Sequence, residues 1–67
     1  MCQMRIILKQ GDTEEMVLEN ASTLEIVDQG VMVGAMFEHP ILIPGGEVHS
    51  IDFLSGRVLV TKKGGKT

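Results

Sequence analysis

The chain has 67 residues, a net charge of −3, one cysteine and only two aromatic residues, Phe37 and Phe53. A lone cysteine excludes an internal disulfide. A domain of this size buries only ~60% of the surface its unfolded chain exposes, so a metal or a partner subunit is the remaining source of added stability. Up to Thr61, nine acids face Arg5, Lys9 and Arg57; that anionic body repels phosphate backbones, and so few aromatics leave no platform for nucleobases.

From Cys2 to Lys9 the residues alternate, with Cys2, Met4, Ile6 and Leu8 on one face and Gln3, Arg5, Ile7 and Lys9 on the other, which predicts a half-buried strand. Gly11-Asp12-Thr13 turns the chain into a second strand, where Glu15, Val17 and Glu19 alternate with Met16 and Leu18. Asn20-Ala21-Ser22 interrupts that pattern. Leu24 and Ile26 then alternate with Glu25 and Val27, and Asp28-Gln29-Gly30 reads as a tight hairpin connection.

Val31 to Phe37 is apolar on both faces, Val31, Val33, Ala35 and Phe37 on one, Met32, Gly34 and Met36 on the other. So small a domain has one core, so the second face predicts a subunit contact, with Gly34 allowing close approach; a cover of the chain's own loops is the alternative. Pro40 and Pro44 bracket a short edge-type piece, and Gly45-Gly46 turns the chain again. Within Glu47 to Leu54, Val48 has the opposite parity to Ile51 and Phe53, which predicts a bulge or bend. Ser55-Gly56 leads into a last strand, Arg57 to Thr61.

Six or seven short strands with turns about every ten residues predict an all-β fold, a sandwich or small barrel. A partly open barrel of antiparallel strands over residues 1–61 fits the length best, followed by a flexible basic tail over residues 62–67. The opening residues lack a signal-peptide pattern and no apolar span of ~20 residues occurs, so the expectation is a cytoplasmic protein without a membrane segment.

No catalytic constellation is visible, and the expectation is a protein that is not an enzyme. Gly65-Lys66-Thr67 resembles the end of a phosphate-binding loop but has Val60 where the first glycine belongs and no following helix. His39 and His49 are the only imidazoles, with Asp52 three residues after His49 and no nucleophile in context. The five methionines offer soft donors for Cu(I), yet their apolar positions suit packing.

Cys2 carries two readings. Its parity places it with Met4, Ile6 and Leu8, as a core cysteine would be. Its position allows another chemistry: the Met1 amine, the Cys2 backbone nitrogen once deprotonated and the Cys2 thiolate close two adjoining chelate rings in a plane, and planar nitrogen-containing sites suit Ni(II) or Cu(II). Removal of Met1 leaves one such ring, from the Cys2 amine and thiolate. One chain supplies three donors or fewer, so a symmetric dimer with two donors from each copy completes a four-coordinate site.

The opening Met1-Cys2 with the strand Arg5-Ile6-Ile7-Leu8, the strand Leu24-Glu25-Ile26-Val27 before Asp28-Gln29-Gly30, and the closing run Ile51 to Val60 resemble the CooT family over nearly the whole length. These are very small nickel-binding proteins associated with maturation of the nickel-containing carbon monoxide dehydrogenase. The resemblance implies a homodimer of small Src-homology-3-like barrels, Ni(II) bound at Cys2, and a nickel-enzyme client or its maturation machinery as partner. The function it implies is a metallochaperone. Similar proteins have also been labelled RNA-binding, so a small RNA-binding or protein-interaction barrel without a metal role is the alternative, although the acidic body disfavours nucleic acid.

Overall fold

Alternating apolar residues that must all face one thin core fold this chain into seven short strands. The computed structural model describes residues 3–62. The strands are β1 (Met4–Gln10), β2 (Thr13–Ala21), β3 (Thr23–Val27), β4 (Gly30–Gly34), β5 (Ile41–Pro44), β6 (Gly46–Asp52) and β7 (Arg57–Lys62). They form a four-stranded sheet in the order β2-β1-β7-β6 and a three-stranded sheet in the order β3-β4-β5. The chain passes between the sheets at Ser22 and at Gly45, and the Ser22 amide donates to the Gly34 carbonyl at 2.8 Å to tie the first corner. The expected partly open barrel is the result. An open cleft lined by Ile26, Val27, Gly30, Gly45, Glu47 and Val48 lies where the sheets do not close.

The core lies between the sheets. Ile6, Leu8, Leu18, Val58 and Val60 come from one sheet and Val31, Val33 and Ile43 from the other, with Ala21 at the corner and Met4, Leu24 and Val48 packed around them. It contains no aromatic residue. Ile7 is buried yet outside this cluster, because on the outer face it is paired with Met16 on β2 and Leu59 on β7.

Three features differ from the expectations. β1 and β7 pair in parallel, Arg5 with Arg57 through Lys9 with Thr61, whereas the other strand pairs are antiparallel as expected. The strand expected over Val31 to Phe37 ends at Gly34, and Gly34 makes room for the hydroxyl of Thr23 in the same chain. The strand expected to reach Leu54 ends at Asp52, so Phe53 and Leu54 belong to a turn. The expected bulge is present: the β6–β7 register shifts between Val48 and Ser50, which sets Val48 opposite Val60 and Ile51 opposite Val58 despite their opposite parity. β7 runs through Lys62, and the remaining tail residues, 63–67, lie outside the described residues. Among the described residues no helix is long and apolar enough to cross a membrane.

Candidate metal centre

Met1 and Cys2, the metal ligands expected from the sequence, lie outside the described residues; the site is therefore built from Gln3 onward. Gln3 is exposed and leads into β1 at one end of the four-stranded sheet. Two loops crowd this end. The turn after β6 is fastened to the start of β1, since the Arg5 amide donates to the Gly56 carbonyl at 2.7 Å and the Arg5 guanidinium donates to the Ser55 carbonyl at 2.8 Å. Gly56 has φ of +71°, and a Cβ there would lie 3.2 Å from the Gln3 carbonyl oxygen. The second loop follows β4, and its Glu38 shares a shallow polar cleft with Gln3, Arg5, Glu19 and Asn20.

The turn after β6 is held by its own acid. Asp52 Oδ1 accepts from the Leu54 amide at 3.0 Å and the Ser55 amide at 3.1 Å, and the Gly56 amide donates to the Asp52 carbonyl at 2.9 Å. The Ser55 amide is the main reason that the Asp52 carboxyl is held below its usual value; the Ser55 hydroxyl, the Leu54 amide and the charge of Arg57 act in the same direction. An exposed turn so fixed keeps one shape beside Gln3.

The two histidines separate. His49 sits in the β6 bulge and lines a cleft with Lys9, Gln10, Gly11, Thr61 and Lys62. From Gln3 to Lys9 the strand advances about 20 Å, so His49 stands at the opposite end of β1 from Gln3. His39 is exposed on the loop that carries Glu38, at the Gln3 end. Among the described residues no group of three or more His, Cys, Asp or Glu side chains is placed to hold a metal.

Sequence reasoning placed a turn at Ser55-Gly56 but missed its start at Asp52 and the parts that Arg5 and Asp52 play in holding it. The run Asp52-Phe53-Leu54-Ser55-Gly56 carried the signal, because an Asp that accepts from amides two and three residues on, followed by Gly, marks a turn; the apolar Phe53-Leu54 pair made it read as strand.

Comparison with known proteins places this geometry. The family described as CO dehydrogenase accessory protein CooT matches residues 1–61. A solved structure described as a CooT from Carboxydothermus hydrogenoformans is similar over 92% of this chain and 98% of its own, with a TM-score of 0.81 and 21% identity; at that identity the likeness concerns the fold. No curated protein matches.

Proposed function

This chain belongs to the CooT family of CO dehydrogenase accessory proteins, an accessory role rather than a catalytic one, and on that premise we propose that it is a nickel metallochaperone. One Ni(II), as cargo, is held between two copies of the chain in the cytoplasm. Each copy gives the Cys2 thiolate and a nitrogen from Met1 or Cys2, and the ion passes to carbon monoxide dehydrogenase or its maturation machinery. The observation that carries this reading is the location of Gln3: exposed, at one end of the four-stranded sheet, and bonded directly to the chain's single cysteine. A site with few ligands at a surface suits a carrier, because a partner's donors can reach the ion while it is still bound.

The experiment is nickel titration of protein bearing its native N-terminus, read by calorimetry and by the thiolate-to-nickel absorption band. Cys2→Ser is expected to lose both signals while the circular dichroism of the barrel is unchanged. Undiminished nickel binding in Cys2→Ser would remove the proposal.

A further inference from the structure

One core-facing residue of the three-stranded sheet has no cover. Ile26 on β3 is paired with Val31 on β4, so both side chains stand on the same face of the sheet, the face that carries the core. Val31 is fully buried, whereas Ile26 is 77% exposed. The cleft where the two sheets do not close makes the difference. It has a volume of about 860 Å³, and Val27 and Val48 extend its apolar floor beside Ile26. The charged side chains that line it, Asp28 and Glu47, are both acidic.

The end of β7 leads to this cleft. Lys62 is paired with Gly46, which lines the cleft, and the Gly45 amide next to it donates to the Gln29 carbonyl of the facing wall at 2.8 Å. The end of β7, the corner between β5 and β6, and the β3–β4 turn therefore lie side by side, and Gln29 stands about two strand spacings, or ~10 Å, from Lys62. Five residues follow Lys62 in the sequence, Lys63-Gly64-Gly65-Lys66-Thr67, and five extended residues reach at most ~18 Å. We infer that this segment crosses the cleft in the same chain and covers its apolar floor, with Lys63 and Lys66 set toward the acidic rim. The nickel site proposed above takes no part in this contact.

Charge chooses between the two directions open to the segment. Lys62 also borders the polar cleft of Lys9, Gln10, Gly11, His49 and Thr61, where Lys9 and Lys62 repel two further lysines. Asp28 and Glu47 attract them. A lysine stem of four carbons lies against Ile26, Val27 and Val48 while its ammonium stays in water beside Asp28. Gly64 and Gly65 bring no side chains, so their backbone comes close to Gly45 and Gly46. Contacts between exposed charges are individually weak, but a short covalent connection gives them an effective concentration in the mM range.

A spin label at the end of the segment tests the contact. Thr67→Cys in a Cys2→Ser background carries one nitroxide, and the amide resonances of the isotopically labelled full chain are recorded with the label oxidised and reduced. Broadening is expected to be stronger at residues 26–29 than at residues 9–11 and His49. Lys63→Glu/Lys66→Glu in the same background is expected to abolish that preference, and so is salt of about 1 M, where the Debye length is ~3 Å. Without the label, the double lysine variant of the otherwise wild-type chain is expected to shift the Asp28 and Gln29 amides and to leave the Gly11 amide in place. Broadening that is equal at the two clefts, or centred on Lys9, Gly11 and His49, overturns the inference. A preference for residues 26–29 that survives the charge reversal overturns it as well, because the lysines then do not seat the segment.

Discussion

The two ends of β1 are built for different things. At the Gln3 end, the strand is joined by a turn that its own Arg5 secures, and exposed Phe37, Phe53 and Leu54 surround it. At the Lys9 end, a polar cleft of Lys9, Gln10, His49, Thr61 and Lys62 faces solvent, about 20 Å away. Exposed Phe37, Phe53 and Leu54 thus stand at the Gln3 end, whereas Lys9 and Lys62 stand at the other. The difference teaches that an accessory protein of 67 residues can divide its surface by strand direction alone: because β1 and β7 run parallel, their starts, Arg5 and Arg57, share one end, and their finishes, Lys9 and Thr61, share the other.

The largest expected effect breaks the comparison by chemistry. Cys2→Ser is expected to abolish nickel binding, whereas His49→Ala, at the far end, is expected to leave the affinity within about twofold; calorimetry on both variants reads the contrast. The next effect comes from the backbone. Gly56→Ala and Gly11→Ala both place a side chain at positive φ, +71° and +59°, which costs roughly 1–2 kcal/mol in each case. Only at Gly56 does the new Cβ press on Gln3, at 3.2 Å from its carbonyl oxygen, while nothing lies within 4 Å at Gly11. Denaturant melts are therefore expected to show a loss in both variants and a larger one in Gly56→Ala, and nickel affinity is expected to fall in Gly56→Ala alone.

A smaller loss is expected from Arg5→Ala, which removes the guanidinium donor to the Ser55 carbonyl. One exposed hydrogen bond is worth about 0.5–1.5 kcal/mol, and faster amide exchange at Leu54 and Ser55 would report it. The smallest effect is one of pH. Asp52 has its carboxyl pKa lowered below 3.8 in the folded protein, so its contribution is fully present above that value and is lost as pH falls through the lower folded value. Amide exchange at Leu54 and Ser55 is expected to stay slow at pH 5 and to quicken below pH 3.8, while the amides around Gly11 show no such break.

The sequence made much of this legible where side-chain parity and core contact agree. Ile6 and Leu8 face inward as their alternation requires, Asp28-Gln29 joins β3 to β4, and the parity conflict between Val48 and Ile51 is resolved by the bulge at His49. Where hydrogen bonds override parity, the reading failed. Phe37 and Phe53 continue an apolar alternation, and only the amide-to-carboxylate bonds of Asp52 and the left-handed backbone at Phe37 turn them outward. The parallel pairing of β1 and β7 is a contact across more than forty residues, which no local period encodes. Of the candidate site, the single cysteine was plain in the sequence. That Arg5, Glu38 and the turn ending at Gly56 surround its neighbour Gln3 is a matter of topology.

The central claim is that nickel is held at the Gln3 end, and amide resonances of the isotopically labelled protein recorded during a nickel titration test it most directly. The account predicts shifts confined to Gln3, to residues 35–39 and to residues 52–57, saturating at one nickel per two chains and absent in Cys2→Ser. Shifts centred on Lys9, His49 and Thr61, or saturation at one nickel per chain, would contradict it.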